Sequence, residues 1–271
     1  MNRIITLTTD FGLSDEYVGV MKGVILARAP AATIVDLCHG VERQDIVQAA
    51  LLIKSAYVFF PKGTIHIVVV DPGVGSERRL IVLVADGHIF LAPDNGVLSL
   101  LLDSETIAAA YEIQCEHYYL FPVSSTFHGR DILAPVASQL AAGLDPAATG
   151  PLLHPRTLLR IAVDEPHIDA GQGKISGRII SRDHFGNLQT NIGEKFLKSL
   201  WAKSGMNVKV TVKERVISGI QDSYVAAAPG ELLAIINSRG FVEIASNQDD
   251  AGALLGAGPG DTVVLEMVRT Q

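Results

Sequence analysis

The stretch TIHIVVVDPGVGS, Thr64–Ser76, decides the fold of the first part of the chain. Thr64–Val70 is almost entirely apolar and β-branched, which is typical of a strand that is buried on both faces. Asp71 and a glycine-rich turn follow this run directly. Since open α/β sheets bind ligands beyond the carboxyl ends of their strands, the stretch predicts a central sheet strand with a ligand site at its end.

Strand-like and helix-like segments alternate around this stretch. The predicted strands are Ile4–Thr9, Thr33–Leu37, Thr64–Val70 and a hairpin of Leu80–Ala85 with His88–Ala92 around Asp86-Gly87. The predicted helices are one that begins near Ser14 and ends before Pro30, a second at Asp45–Tyr57, and a third at Ile132–Ala142. Such alternation predicts an α/β domain with a mostly parallel sheet and flanking helices.

The pattern changes after a stretch rich in proline and glycine. We predict an α/β domain at residues 1–150, a linker at 151–172 and a second domain at 173–271. The second domain shows only short β-rich runs, which predict an all-β barrel. These runs are Lys174–Ser181, Leu188–Ile192, Asn207–Lys213, Glu231–Asn237, Phe241–Ala245 and Thr262–Val268.

Composition excludes several classes of protein. The 271 residues are 48% hydrophobic and 19% charged, which is typical of a globular chain and not of a disordered one. A net charge of −7 disfavours general nucleic-acid binding, which needs a basic surface. No run approaches the roughly 18 apolar residues of a membrane span. With no signal-peptide pattern and only two cysteines, we expect a cytoplasmic protein.

Four polar, glycine-rich turns mark the predicted sheet edge, and none matches a common catalytic loop. They begin at Asp10, Asp71, Pro93 and Thr126. The chain has no G-x-x-x-x-G-K-[ST], G-x-G-x-x-G or G-x-S-x-G motif at these turns. A metal could in principle be held by Asp10, Asp71, Asp94 and His128. Because no histidine spacing typical of a metal site is present, we predict none.

Two turns of the second domain also carry candidate binding residues. Asp183–Asn187 and Asn237–Phe241 have the composition of ordinary turns. An asparagine can also both donate to and accept from an adenine edge, and an arginine can grip a carboxylate with two hydrogen bonds.

Together, these motifs resemble one family. They are DFGLSD at 10–15, MKG at 21–23, DPGVGS at 71–76 with Arg78-Arg79, PDNG at 93–96, TFHGRD at 126–131, FGNL at 185–188 and NSRGF at 237–241. In this order they resemble the S-adenosyl-L-methionine (SAM) hydroxide adenosyltransferases, the adenosine-forming SAM hydrolases, which are related to SAM-dependent fluorinases and chlorinases. The resemblance covers nearly the whole chain.

The resemblance implies an α/β domain, a C-terminal β-barrel and a homotrimer. It implies that SAM binds between the first domain of one subunit and the second domain of the next. The implied reaction converts SAM and water to adenosine and L-methionine, so SAM is a substrate and no cofactor is expected.

The resemblance also implies roles for individual residues. Asp10 matches the acid that holds the ribose diol, Asn187 the residue that reads adenine, and Phe127 an aromatic wall. Asp15, Asp183, Ser238 and Arg239 match the methionine end, with Asp183 facing the ammonium and Arg239 the carboxylate. The implied catalytic set is Asp71, Arg78 and His128, in which either Asp71 or His128 could accept the proton of water.

Two alternatives stay open on the sequence. Halogenases carry tyrosine where this chain has Asp71, and a carboxylate there would repel halide, so we expect water to be the nucleophile. A sensor that binds SAM or adenosine without turnover would use Asp10, Asn187 and Arg239 equally well. Gln44 stands where halogenases place an aromatic beside the nucleoside, and Gln248 lies near the adenine turn, so the residues that pack around the base are not determined.

Overall fold

The computed structural model describes residues 3–102, 107–162, 164–201 and 206–269. The chain divides into two compact units, Met1–Ala162 and Val163–Gln271. Residues of the predicted linker 151–172 form short strands in both units. The exact domain boundaries stay a prediction.

The first unit is a seven-stranded sheet with helices on both faces. Its strands are β1 (Ile4–Thr9), β2 (Thr33–Cys38), β3 (Ile65–Val69), β4 (Leu80–Ala85), β5 (His88–Pro93), β6 (Ile107–Glu112) and β7 (Leu152–Leu153). Its helices are α1 (Tyr17–Arg28), α2 (Ile46–Ala56) and α3 (Ala134–Ala141), and a π-helical turn, Gly129–Leu133, leads into α3. Single 3-10 turns lie at Tyr57–Phe59, Ser99–Leu101, Glu116–Tyr118, Pro146–Thr149 and Pro155–Thr157.

The sheet is mixed, which corrects the prediction of a mostly parallel one. The strand order is β2-β1-β3-β5-β4-β6-β7. The pairs β1–β2, β1–β3 and β3–β5 are parallel, whereas β4–β5, β4–β6 and β6–β7 are antiparallel. The reason is the tight hairpin at Asp86-Gly87, where both residues have positive φ (50° and 75°). It reverses the chain, and the later strands continue the antiparallel pattern.

The central strand β3 is buried along its whole length, as its composition predicts. Ile65 and Ile67 face the side of the sheet that α1 and α3 cover. Val68 and Val70 face the side that α2 covers. With both faces packed, the chain just after β3 has a fixed position from which polar side chains can project.

The second unit is all antiparallel and nearly closed into a barrel. Its strands are β8 (His167–Asp169), β9 (Lys174–Arg182), β10 (Leu188–Gly193), β11 (Met206–Val212), β12 (Arg215–Ser218), β13 (Leu232–Ile236), β14 (Phe241–Ser246) and β15 (Thr262–Arg269). The order is β12-β11-β15-β9-β10-β14-β13, with β8 paired to β9. A bridge between Gln221 and Ile235 brings the chain after β12 to β13, so the two ends of the sheet meet.

The prediction that this unit holds only strands is wrong, because it also has two short helices. These are α4 (Glu194–Trp201) and α5 (Ala251–Leu255), and a 3-10 turn lies at Tyr224–Ala226. The side chain of Asp250 caps α5 by accepting from Ala253 N (2.9 Å), and Gly256 ends it in the left-handed conformation. None of the helices in the described parts of the chain is long and apolar enough to cross a membrane.

Two histidines are buried inside the first unit. His66 Nδ1 lies 2.8 Å from the hydroxyl of Thr6, and His66 Nε2 lies 3.2 Å from His88 Nδ1. Tyr57 contacts both rings edge-on, and Phe90 stacks on His66 at 4.9 Å. Burial, with the neighbouring His88, lowers the pKa of His66 to about 3, and burial also lowers the pKa of His88. Both imidazoles are therefore neutral near pH 7.

This pair predicts that stability falls with acid. In the unfolded chain the histidines take up protons near pH 6.5, whereas the folded chain excludes them until the pH approaches the lowered values. The free energy of unfolding should therefore decrease as the pH falls below about 6.5, by up to about 1.4 kcal/mol per pH unit for each histidine. Urea unfolding at about pH 7 and about pH 5 measures this slope.

His66→Gln should reduce the slope, because it removes a titrating group. Phe90→Leu is the matched control, since it disturbs the same packing without removing a titrating group and should lower stability equally at both pH values. Equal slopes in the wild type and His66→Gln would contradict the prediction.

Candidate active site

A cleft of about 400 Å³ opens at the carboxyl ends of β1 and β3. Among its lining residues are Asp10, Phe11, Asp71, Thr126, Phe127 and His128. The first two residues follow β1, Asp71 follows β3, and the others precede the π-helical turn that leads into α3. Three separate parts of the sequence therefore meet here, at the sheet edge where the sequence predicts a ligand site.

Asp71, Arg78 and His128 form one connected group at this cleft. Arg78 Nε donates to both carboxylate oxygens of Asp71 at 2.8 Å, and Nη2 also bonds Asp71 Oδ2. The same Nη2 lies 3.0 Å from His128 Nδ1. The side chains of Asp71 and Arg78 are only 6% and 9% exposed. The guanidinium thus neutralises a nearly buried carboxylate and also fixes the imidazole.

The turn after Asp71 requires glycine at position 75. Gly75 has a φ of +81°, and a Cβ built there would lie 2.4 Å from the carbonyl oxygen of Ser125. Ser76 closes the turn by donating from both its backbone N (3.1 Å) and its hydroxyl (2.7 Å) to Gly73 O. This tight turn presses against the segment before His128, and it returns the chain so that Arg78 reaches Asp71.

The contact with Arg78 determines the tautomer of His128. A guanidinium can only donate, so Nδ1 must accept, and in the neutral ring the proton is on Nε2. Burial lowers the pKa of His128, and the positive charge of Arg78 lowers it further, against the opposite effects of Asp71 and Asp131. His128 is therefore a neutral imidazole with an N–H on Nε2 near pH 7.

Asp10 is held by the backbone of the neighbouring loop. Its Oδ2 accepts a hydrogen bond from Gln44 N at 2.9 Å, and Gln44 itself has a positive φ of 64°. Both residues line the cleft, as does Arg43. One bond leaves most of the acceptor capacity of the carboxylate available, since an ionised carboxylate has about four lone-pair sites.

Three aromatic rings form one wall of the cleft. Phe127 lies 5.8 Å from Phe11 and 5.3 Å from Tyr17, and Phe11 and Tyr17 are 5.7 Å apart. Phe127 is expected at a wall from the sequence. Phe11 and Tyr17 are not, although Phe11 stands beside Asp10 in the motif. Asp15 is exposed and is not among the described residues that line the cleft.

In the second unit, Asp183 and Asn187 lie together in the turn between β9 and β10. Asp183 Oδ1 accepts from Phe185 N and Asn187 N, both at 2.9 Å, and Asp183 Oδ2 accepts from Asn187 Nδ2 at 3.0 Å. One carboxylate thus holds the turn and orients the amide of Asn187. Phe185, at the tip of the turn, is 74% exposed.

Ser238 and Arg239 lie in the turn between β13 and β14, and both are exposed. Arg239 Nη1 approaches Gln189 Oε1 at 3.4 Å, and Arg239 N donates to Asn237 Oδ1 at 3.0 Å. The structure therefore groups Asp183 with Asn187 and Ser238 with Arg239. The sequence does not predict that Gln189 is a neighbour of Arg239. The two residues come together only through the pairing of β10 with β14, which has no local sequence signal.

Of the acidic residues considered for a metal site, Asp94 does not line the cleft that Asp10 and Asp71 line. Asp94 is 4% exposed and is held by Arg79, whose Nε donates to it at 2.9 Å, and by Leu159 N at the same distance. Asp71 is held by Arg78. Within the described ranges, no group of three or more His, Cys, Asp or Glu side chains is placed to bind a metal ion.

Comparison with known proteins identifies the family. Residues 5–150 match the SAM hydroxide adenosyltransferase N-terminal domain, and residues 177–264 match the C-terminal domain of the same family. The chain belongs to the SAM hydroxide adenosyltransferase family. This confirms the resemblance carried by the motifs.

Individual relatives match this chain over nearly its whole length. It is 36% identical to an (R)-S-adenosyl-L-methionine hydrolase of Salinispora tropica over 95% of each chain. A crystal structure of an uncharacterized conserved protein from Thermotoga maritima is similar, with a TM-score of 0.89, 35% identity and coverage of 96% of this chain and 99% of the other. A fluorinase from an Actinoplanes species is more distant, at 28% identity over 91% of each chain.

Proposed function

We propose that this adenosyltransferase hydrolyses SAM to adenosine and L-methionine by in-line attack of water on C5′ of the ribose. The observation that carries the proposal is the group Asp71–Arg78–His128 at the cleft that also holds Asp10. The names of the relatives support it, since the hydrolase is more similar to this chain than the fluorinase is.

Each end of SAM has suitable partners among the candidate residues. The ribose diol donates to Asp10, and the rings of Phe11, Tyr17 and Phe127 supply an apolar wall beside it. Asn187 reads the adenine edge with its amide. The methionine carboxylate binds Arg239 and Ser238, and its ammonium binds Asp183. We keep Asp15 as a further polar contact of the methionine end.

The charge at the cleft favours water over halide as the nucleophile. The carboxylate of Asp71 accepts hydrogen bonds from Arg78 Nε and Nη2, so the pair as a whole is neutral and the charge of Arg78 is not available to hold an anion. A halide ion beside this pair would lose hydration without gaining a positive partner. Water can donate to the carboxylate and accept from the imidazole, so both of its functions are satisfied.

The tautomer of His128 suggests how water is activated. The Nε2–H of His128 donates to the water oxygen and orients it, while a free lone pair of Asp71 accepts a water proton as the C5′–O bond forms. The C5′–S bond breaks with its electron pair going to sulfur, and methionine leaves as a neutral thioether that needs no acid. Because free water has a pKa of about 15.7, we propose that proton transfer accompanies attack.

The proposed substrate contacts are divided between the two units of the chain. We propose that the protein is a homotrimer, with each SAM site formed by the α/β unit of one subunit and the barrel unit of the next. SAM is then a substrate that contacts two subunits, and no cofactor is required.

Isotope labelling tests the proposed reaction. We expect purified protein, incubated with SAM in ¹⁸O-water without halide, to produce adenosine with ¹⁸O at its 5′ oxygen and an equal amount of L-methionine. Mass spectrometry measures both products. Binding of SAM without turnover would support a sensor and contradict the proposal, and 5′-halo-adenosine after adding chloride or fluoride would support a halogenase.

Substitutions test the catalytic group. Asp71→Asn and His128→Ala should each lower kcat at least tenfold, which corresponds to about 1.4 kcal/mol of barrier.

In the wild type, kcat should fall as the pH drops below about 6.5, through the lowered pKa of His128, because protonation places an N–H on Nδ1 against Arg78.

Asp94→Asn is the matched control for this test. Asp94 forms a similar ion pair with Arg79 but does not line the cleft, so kcat should stay within twofold of the wild type in a variant that remains folded. Wild-type turnover in both Asp71→Asn and His128→Ala would refute the catalytic assignment.

Subunit mixing tests the shared site. Asp71→Asn and Arg239→Ala remove contacts from different units, so each variant alone should be poorly active. If neighbouring subunits share sites, mixed trimers refolded from equal amounts should recover about a quarter of wild-type activity, since one site in four combines two intact halves. No recovery in a proven mixed trimer would indicate that each site is formed within one subunit.

A further inference from the structure

Glu243 is a buried carboxylate in the second unit that the proposed reaction does not use. It lies on β14 directly opposite Gln189 of β10, and it is only 7% exposed. Its Oε1 accepts from the hydroxyl of Tyr224 at 2.8 Å, and its Oε2 accepts from Asn237 Nδ2 at 3.0 Å. Burial and this hydrogen bond to Glu243 raise the pKa of Tyr224 to about 12, so the phenol keeps its proton. A glutamate side chain is seldom buried to this extent, and here each of its carboxylate oxygens has a directed donor.

Asn237 connects Glu243 to the turn that follows. Its Nδ2 donates to Glu243 and also to Gln189 Oε1 at 3.1 Å. Its Oδ1 accepts from the backbone N–H groups of Arg239 (3.0 Å) and Phe241 (3.1 Å). All four hydrogen-bonding positions of the amide are thus occupied. Glu243 and Gln189, which accept from Nδ2, determine the orientation of the Asn237 amide. This orientation directs Oδ1 toward the two backbone N–H groups of the turn.

The turn also has backbone hydrogen bonds. Asn237 N donates to Phe241 O and Gly240 N donates to Asn237 O, both at 2.9 Å, and Gly240 O accepts from Glu194 N at 2.8 Å. Gly240 follows Arg239 in the turn and has a φ of +78°, and Ser238 and Arg239 are exposed. The described contact of the Arg239 guanidinium is the 3.4 Å approach to Gln189, which shares its Oε1 with Asn237. Asn237 therefore holds the backbone of Arg239 and Gln189 contacts its guanidinium. These two side chains are hydrogen-bonded to each other.

We propose that Glu243 is a positioning residue for the methionine end of SAM, which acts through Asn237 to hold the turn that presents Ser238 and Arg239. This rests on the proposed function for the identity of the ligand. Glu243 touches no substrate. A negative charge at Glu243 would repel the methionine carboxylate and attract the ammonium of the same molecule, so we assign its contribution to affinity to geometry.

Two substitutions separate geometry from charge. Glu243→Leu removes the charge and both acceptors, whereas Glu243→Gln removes the charge but keeps an oxygen that can accept from Asn237, with the Tyr224 hydroxyl reversed to accept from the new amide. If Glu243 acts by positioning the turn, Glu243→Leu weakens methionine binding and Glu243→Gln keeps it close to that of the wild type. A charge effect alone predicts the same change in both variants, because both lose the charge.

Kinetics with the full-length enzyme measures this difference. We expect Glu243→Leu to raise KM for SAM and the inhibition constant of L-methionine at least tenfold, with kcat and the inhibition constant of adenosine within twofold of the wild type. Glu243→Gln should stay within threefold throughout. Unchanged or tighter methionine binding in Glu243→Leu, or equal weakening of methionine and adenosine, would overturn the proposal.

Thr190→Val is the matched control for loss of stability. Thr190 is the next residue on β10, is fully buried and bonds Val242 O at 2.8 Å, but it does not contact Asn237. This variant should be destabilised without changing the ratio of the methionine to the adenosine inhibition constant. If Glu243→Leu does not fold, Tyr224→Phe, which removes only the donor to Oε1, should change that ratio in the same direction by a smaller factor.

A ligand-free measurement separates this inference from the proposed function. Hydrogen exchange by NMR should show the amides of Arg239 and Phe241 exchanging at least tenfold faster in Glu243→Leu than in Glu243→Gln, with the amide of Leu233 as internal reference. Equal exchange in the two variants would overturn the positioning role whether or not SAM is the substrate. Faster exchange in a protein that does not turn over SAM would support the role of Glu243 and contradict only the proposed reaction.

Discussion

The ion pair between Asp71 and Arg78 is the interaction on which the candidate site depends. It places a carboxylate at the end of a strand that is buried along its whole length, where an unpaired charge would be severely destabilising. Because Arg78 satisfies Asp71 with two donors and still reaches His128, one guanidinium sets the charge of the cleft and the tautomer of the imidazole. The turn between the two residues, with Gly75 against the Ser125 carbonyl, determines their separation.

Much of the fold is predictable from the sequence because local patterns and tertiary packing agree. The hairpin at Asp86-Gly87 and the buried strand Thr64–Val70 follow from turn chemistry and from uninterrupted apolar sequence. Strand direction was less predictable. The alternation of strands and helices predicts parallel pairing only while helices connect the strands, and after the hairpin β6 and β7 are reached by other connections. The hairpin itself predicts one antiparallel pair, β4 with β5. The antiparallel pairing of β6 and β7 follows from topology, which no local pattern specifies.

The candidate site shows the same division between local and non-local information. Asp10, Asp71 and His128 could be predicted to converge because each stands in a polar turn beside a strand end or a helix start. Glu243 and Gln189 could not, because each reads as one polar residue in an alternating strand. Only the pairing of β10 with β14 shows that they lie opposite each other. A strand residue whose partner lies on another strand has no local signature.

Arg78 and Arg79 show how position decides the role of identical chemistry. They are consecutive residues just before β4, and their side chains reach different partners. Arg78 turns to Asp71 and His128 at the cleft, whereas Arg79 turns to Asp94 and to the carbonyl of Thr157 (2.7 Å). Both bind nearly buried aspartates in the same manner, and yet one pair borders a cavity while the other joins segments of the fold. A buried ion pair thus indicates function only when one of its members borders a ligand cavity, and of these two aspartates Asp71 lines the cleft whereas Asp94 does not.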